Sequence, residues 1–422
     1  MRILQKKSRM QSKTIYIYII ILWLLITSVA PFAFFVLPMH PGKFAAFFLL
    51  VIILILVIIK RKIQNPHPLI IFILLFQIVF YLASAFYHND TAYINLVIQN
   101  IAIIITYFFI IQYIGIETFV KSYLKIIQFM IFMGIIVFFY ALFGGKSYNE
   151  FEFIDGRPII NYIISFARSP FYIGGGMLIR VCGFFDEPGA FAFFIIQALL
   201  LNKIYFNSKK TEILLIFGGL FTMSVAFFIS LVLYIVFFYL SIKQKKSFLF
   251  IGLFFATAIF FIQVNRDSSV VSHLIYSQTI GRVEGLFKGE EVGEVVSDNR
   301  SSLVENALRA FKDAPLMGHG IETVPKKYGY FGANILGPFA NNGIIGAFFM
   351  FLPFMVFLIY SLNFKKWSFY INDTFKSLVI IFINYLQRPD VTGLLIMLLM
   401  IAFFHRIKQN NKIVNNTRFV MR

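Results

Sequence analysis

A polytopic, all-α membrane protein is the fold class this sequence predicts, and three observations carry it. Of 422 residues, 59% are hydrophobic and 14% charged, with mean hydropathy +0.81; soluble domains are nearer half apolar and a quarter charged. The apolar residues form continuous runs of about 15–25, the length of membrane-crossing helices, without the alternation and aromatic girdles of a barrel. Basic residues gather between alternate runs, as they do at cytoplasmic ends.

The runs lie near 15–37, 44–59, 68–87, 92–114, 122–143, 188–202, 211–241, 247–263, 335–362, 375–387 and 391–404. The first follows a basic stretch, Arg2 to Lys13, and resembles a signal peptide. It is too long for one, and Ser28-Val29-Ala30 is followed by Pro31, so we read an uncleaved first helix. The run 211–241 is too long for one span and short for two. Lys209 and Lys210 precede it and Lys243, Lys245 and Lys246 follow it, so both ends belong inside. It reads as a tight hairpin of two short helices turning near Gly218 to Ser224. The last pair, around Gln387-Arg388-Pro389-Asp390, is short and reads as a broken or re-entrant hairpin. About twelve passes follow, with both termini cytoplasmic.

Charge counting supports this topology. Segments assigned to the inside carry 24 of the 38 Lys and Arg and three acids, Glu117, Glu212 and Asp373; those assigned to the outside carry 14 and 16. Membrane orientation accounts for the net charge of +19, and a nucleic-acid partner is not needed. The single cysteine, Cys182, excludes an intramolecular disulfide and a cysteine-based metal site.

Residues 1–422 read as one integral membrane domain with two large extracytoplasmic loops, 144–187 and 264–334. No internal repeat or low-complexity tract is visible. A transporter carries polar chemistry inside its helices near the midplane. Here the helices are nearly free of charge and the ionisable residues gather on one outer face, which favours an enzyme at the outer surface.

Candidate chemistry lies in both loops. The first ends Arg180-Val181-Cys182-Gly183-Phe184-Phe185-Asp186-Glu187-Pro188. Pro188 suits the first turn of a helix, which places Asp186 and Glu187 at its positive end. One reading is a capped helix beside a surface Arg. The other puts Arg180 on a phosphate, with Glu187 orienting it or accepting a proton. In the second loop, Leu303, Val304, Ala307, Leu308 and Phe311 form one face of a helix that starts near Asp298 or Asn299 and ends before Pro315. Arg309 lies four residues after Glu305, the spacing of a plain surface ion pair. Arg300 stands at the amino end, where the dipole disfavours a cation unless it faces an anion. His319, in the flexible turn Gly318-His319-Gly320, is incidental or a base. Tyr328 and Tyr330 either stack on sugars or anchor at the interface.

Arg300 through Gly346 resembles the outer loop of the O-antigen polymerase and ligase superfamily. The shared pattern is an Arg, an amphipathic helix, a Pro-x-x-Gly-x-Gly turn (Pro315 to Gly320), and an Asn (Asn334) followed by a helix with Gly-x-x-Gly (Gly343 to Gly346). Arg309, ten residues and Gly320 fit the arginine spacing of Wzy-type polymerases, and Arg180 through Pro188 resembles their Arg-x-x-Gly-Phe-x-x-Glu-Pro segment. Ligases carry a His directly before the Asn, where this chain has Ala333. They often carry an Arg after the Ser of the short hairpin, where Val225 follows Ser224. Both departures favour the polymerase.

The resemblance implies a metal-independent glycosyl transfer, without cofactor, at the outer face of the bacterial cytoplasmic membrane. Undecaprenyl-pyrophosphate-linked glycans are donor and acceptor, and lipid pyrophosphate is the leaving group. Arg180, Arg300 and Arg309 would bind it and Asn334 would line the site. Glu187 would be the base or hold Arg180, with His319 the alternative base. A chain-length regulator is the implied protein partner, and the product is an O-antigen or a capsule. The chain has no P-loop and no Asp-x-Asp motif, in keeping with preactivated substrates. The rival readings are an O-antigen ligase and a flippase or transporter for lipid-linked oligosaccharides.

Overall fold

A computed structural model describes residues 66–152, 158–173, 176–239, 263–264, 276, 300–329, 334–362, 373–387 and 393–420. In chain order these form α1 (Pro68–His88), α2 (Ala92–Phe109) extended by a π-turn (Ile110–Ile114), and α3 (Ile116–Leu142). Strands β1 (Asn149–Glu152), β2 (Pro158–Asn161), β3 (Phe166–Ile173) and β4 (Gly176–Gly183) follow. Then come α4 (Pro188–Tyr205), α5 (Lys209–Leu220), α6 (Val225–Tyr239), α7 (Arg300–Asp313), α8 (Thr323–Tyr328), α9 (Gly337–Ser361), α10 (Asp373–Gln387) and α11 (Leu394–Val420). The protein is mostly helical, and among the described residues five helices are long and apolar enough to cross a membrane: α1, α2, α3, α4 and α9. The expected helices near 15–37 and 44–59, nearly all of 247–263, most of the second outer loop and the turn after Gln387 lie outside the described residues.

The chain divides into two compact units: 1–126, 201–207 and 302–422 in one, and 127–200 and 208–301 in the other. In the first unit α1 packs on α2 and α9. Pro353 in α9 cannot donate to the Phe349 carbonyl four residues back. The side chain of Gln77, buried on α1, donates to that carbonyl instead (3.0 Å). Phe80 stacks on Phe349 beside it (4.5 Å between centroids). At the end of this unit where α1 starts, the His67 amide donates to the Tyr107 hydroxyl, which shares a hydrogen bond with His405 Nε2 (2.7 Å). There Arg406 Nε also donates to the Ile204 carbonyl, and the Tyr205 hydroxyl to that of Ala402.

The second unit holds a four-stranded antiparallel sheet in the order β1-β2-β3-β4. This corrects the all-α expectation for 144–187, which the sequence reads only as a loop. β1 and β2 are four residues each, and every strand finds its hydrogen-bond partners in another stretch of the chain, so no single stretch announces the sheet. The β2–β3 connection is built on Asn161, whose Oδ1 accepts from the Ile163 amide (2.7 Å). Gly134 of α3 packs against β4: a Cβ there would fall under 3.0 Å from the Val181 side chain.

The helical hairpin expected over 211–241 is present as α5 and α6, with its turn at Phe221–Ser224. Buried Glu212 closes its base. It accepts from the Tyr234 hydroxyl (2.6 Å), the Tyr239 hydroxyl and Lys209 Nζ (3.0 Å). Two boundaries differ from expectation. Residues 116–125, read as an inner connection, are the first turns of α3. Helix α11 continues from its apolar part to Val420. Charged and polar residues extend a helix as readily as apolar ones, so hydropathy marks the buried part and not the helix end.

Candidate functional site

Arg180 is on β4 and 8% exposed. Its Nε donates to the Thr222 carbonyl (3.3 Å) and its Nη2 to that of Met223 (3.1 Å). Both carbonyls belong to the turn between α5 and α6, where Met223 adopts a left-handed backbone (φ 44°), strained for a side chain of its kind. The β4 backbone joins the same turn, since the Val181 amide donates to the Phe221 carbonyl (3.1 Å). Strand and turn together fix the direction of the guanidinium.

Directly across the ladder from Arg180 stands Arg168 of β3, 3% exposed. The sequence reading passed over Arg168. The tip of the β3–β4 hairpin pairs Ile173 with Gly176, a register that by itself would set Arg168 opposite Val181; a register shift between Arg168 and Phe171 sets it opposite Arg180 instead. Asp186 and Glu187 close the segment. The Glu187 carbonyl accepts from the Ala190 and Phe191 amides, and α4 starts at Pro188, as the proline predicts. All four charges act on the Cys182 thiol. Burial is the main cause that pushes it up, Arg168 and Arg180 oppose this, and Asp186 and Glu187 add to it. This unit therefore brings together Arg180, Glu187, Arg168 and Asp186.

The remaining candidates are in the first unit, apart from Arg300, the first residue of α7, whose side chain is outside the described atoms. Arg309 pairs with Glu305 (3.4 Å), with 63% and 70% of the two side chains exposed, which is the plain surface ion pair. Asn334 makes the turn into α9: its Oδ1 accepts from the Leu336 amide (2.8 Å) and its carbonyl from that of Gly337.

His319 is held in a joint that explains the glycine spacing. Helix α9 kinks at Gly343 (φ 63°), which frees amides of its first turns. Ile344 and Ile345 then donate to the Pro315 and Leu316 carbonyls (2.8 and 3.2 Å). Gly320 donates back to the Asn341 carbonyl (2.9 Å). A Cβ on Gly318 would fall under 3.0 Å from the Asn341 backbone, and one on Gly343 under 3.0 Å from that of Leu316. The glycines permit main chain to meet main chain. The α1–α2 connection grips the same turn: His88 Nε2 donates to the Met317 carbonyl (3.1 Å), and Asp90 accepts from the Glu322 amide (2.9 Å).

The Tyr328 hydroxyl stands 3.0 Å from His319 Nε2 and 2.5 Å from Asp313 Oδ2. A hydroxyl carries one proton. With that proton on the Asp313 side, the oxygen accepts from a protonated Nε2. Burial holds the His319 pKa below its ordinary 6.5, Lys327 adds to the lowering, and Asp313 opposes it. Among the described residues no three His, Cys, Asp or Glu side chains gather closely enough to hold a metal ion. No protein-family model matches the chain, and no curated protein matches it.

Proposed function

We propose that the chain is a membrane glycosyltransferase that polymerises undecaprenyl-pyrophosphate-linked repeat units into a surface polysaccharide. The observation that carries this reading is Arg180: a buried guanidinium, aimed by two carbonyls, sharing its surroundings with Glu187. Such a group is suited to a leaving group that departs as an anion.

In the proposed reaction an acceptor hydroxyl oxygen bonds to the anomeric carbon of the donor. The bond from that carbon to the pyrophosphate oxygen breaks, and the electron pair leaves with the lipid pyrophosphate. The hydroxyl proton passes to a base. Arg180, with Arg300 and Arg309, would stabilise the departing charge, Asn334 would line the site, and Glu187 would take the proton or hold Arg180. His319 is the alternative base, and its Nε2 would first have to leave Tyr328.

The reading includes about twelve passes with both termini cytoplasmic in the bacterial inner membrane, loops 144–187 and 264–334 outside, and a chain-length regulator as partner. Supporting the topology, two segments assigned outside, 88–91 and 317–322, meet at one end of the first unit, where 317–322 also bonds to the start of the run 335–362. Those assigned inside or beside it meet at the start of α1 (His67, Tyr107, Ile204, His405 and Arg406).

The test replaces Arg180, Arg300, Glu187 and His319 singly with Ala in the native host and resolves the surface polysaccharide on a gel. Arg180→Ala should lose the long ladder and keep the single-repeat band, with turnover down on the order of 10²–10³-fold. Loss of all surface repeats would indicate a flippase, and polymer stranded on the carrier lipid a ligase. A normal ladder in all four variants would remove the site assignment.

A further inference from the structure

Three side chains of the first unit are placed so that their contacts need one more proton than they carry at rest. Asp313 ends α7, Tyr328 ends α8, and His319 lies in the turn between the two helices. The Tyr328 hydroxyl is 2.5 Å from Asp313 Oδ2 and 3.0 Å from His319 Nε2. The His319 ring also hydrogen-bonds the Ala310 carbonyl. With Nε2 at Tyr328, the nitrogen left for that carbonyl is Nδ1. A hydroxyl carries one hydrogen, a neutral imidazole one and a carboxylate none. With the ring hydrogen on Nδ1, Asp313 and Nε2 therefore compete for the single phenol hydrogen. The exposed ammonium of Lys327, which also reaches the hydroxyl, supplies its own hydrogens and leaves this count unchanged. A proton added to Nε2 completes every contact: His319 donates to Tyr328, and Tyr328 to Asp313. The geometry thus fits the protonated trio better than the resting one, as a site does when it stabilises charge that a reaction creates. The trio is also fixed in place. The Tyr328 ring packs on the cluster of Ala307, Ala310, Val324 and Ala340, and the His319 amide donates to the Ala340 carbonyl (3.4 Å).

We propose that Tyr328 takes the proton of the acceptor hydroxyl and relays its own to His319, with Asp313 as the positioning residue. The relay rests on the reading of the chain as a glycosyltransferase, and it leaves Glu187 to hold Arg180. Tyr328 is half-buried and Asp313 exposed, so the trio is open to the surface on the Asp313 side. The attacking hydroxyl displaces Lys327 and gives its proton to the Tyr328 oxygen as the phenol proton moves to His319 Nε2. The sugar oxygen bonds to the anomeric carbon. The bond from that carbon to the pyrophosphate oxygen breaks, and its electron pair leaves with the lipid. Tyr328 ends neutral and donates to Asp313, while His319 ends as the cation. Asp313 of α7 favours that cation; Lys327 of α8 opposes it, as does His88 of the α1–α2 connection when charged.

The experiment uses the full chain in lipid nanodiscs with nitrogen-labelled histidine, and lipid-linked repeat units extracted from the host as substrate. NMR of the neutral wild type should show the His319 proton on Nδ1, with Nε2 accepting a hydrogen bond that is lost in Tyr328→Phe. A proton on Nε2 in the neutral ring would overturn the relay. Tyr328→Phe keeps the ring on its cluster and should slow extension of the repeat units about 10²–10⁴-fold. His319→Gln should do the same, and the double variant should be no slower than the worse single one, because both act in one relay. Multiplying effects would separate the two residues and overturn the relay. Asp313→Asn should lower the His319 pKa further and slow extension by less than Tyr328→Phe does; no change in either would remove Asp313 from the trio. A wild type with the Nδ1–H form that does not extend the units would end the polymerase reading and leave the proton-holding trio. Extension at the wild-type rate by Tyr328→Phe would end the relay and leave the polymerase.

Discussion

Gln77 donates to Phe349, whose carbonyl lost its helical partner to Pro353 one turn later. The side chain of one apolar helix thereby completes the backbone of another. Removing the amide leaves a buried acceptor unmet, at a cost of about 1–3 kcal/mol. Gln77→Leu should lower the melting temperature in detergent. Pro353→Ala restores an N–H to the same carbonyl, so the double variant should lose less than the two single losses combined. Strict additivity in that cycle would separate the two residues.

The glycines of the turn joint make a steric prediction. Gly318→Ala and Gly343→Ala each place a methyl group inside the van der Waals distance of backbone that cannot step aside, at a positive φ besides. Both should strongly reduce folded protein in the membrane. Gly115→Ala is the control: its φ is also positive (81°) but no atom lies within 4 Å, so it should cost only the backbone strain, about 1–3 kcal/mol. Fluorescence-detected size exclusion of the three variants reports the order.

Acid should act on His319. Its folded pKa is below 6.5, chiefly through burial and then through Lys327. Above 6.5 the ring is neutral in both folded and unfolded chains, and no stability is at stake. As pH falls below 6.5 the unfolded chain takes up the proton first, so stability declines until the folded ring also titrates. Lys327→Gln removes one cause of the lowering and should raise the His319 pKa, read by NMR of labelled imidazole. An unchanged pKa would discard the Lys327 contribution.

Glu212 should hold the short helical hairpin shut. Glu212→Leu leaves the buried Tyr234 hydroxyl without its carboxylate acceptor, at about 1–3 kcal/mol, and removes the carboxylate that Lys209 and Tyr239 share. Glu212→Gln keeps an acceptor oxygen and should cost less. Thermal unfolding of the two variants in detergent measures the difference.

Much of the helical framework is legible in the sequence, because a run of apolar residues is a local property. Pro188 announces the start of α4, and the apolar pattern from Leu303 to Phe311 locates α7 with its end before Pro315, but the expected face is only partly right: Val304 and Leu308 are exposed, and Ala310 is buried beside Leu303 and Ala307. The sheet was not legible, since a strand such as Pro158–Asn161 is four residues whose partners are elsewhere in the chain. Arg168 escaped for the same reason: its significance is a register relation to Arg180, twelve residues on. The glycines of the turn were visible as a pattern, but their cause, contact between Leu316 and Gly343, spans the intervening helix and turn.

Helix α4 is the least hydropathic of the five long apolar helices, and most of it is buried: 83% of its apolar window, against 33–50% for the others. It is thus solvated by protein instead of lipid. During biogenesis such a segment gains little from the bilayer by itself and depends on neighbours already in place. Damage to those neighbours should therefore be felt first as a failure of Pro188–Tyr205 to integrate, detectable as misplaced reporter tags after residue 205 in variants whose own sequence there is untouched.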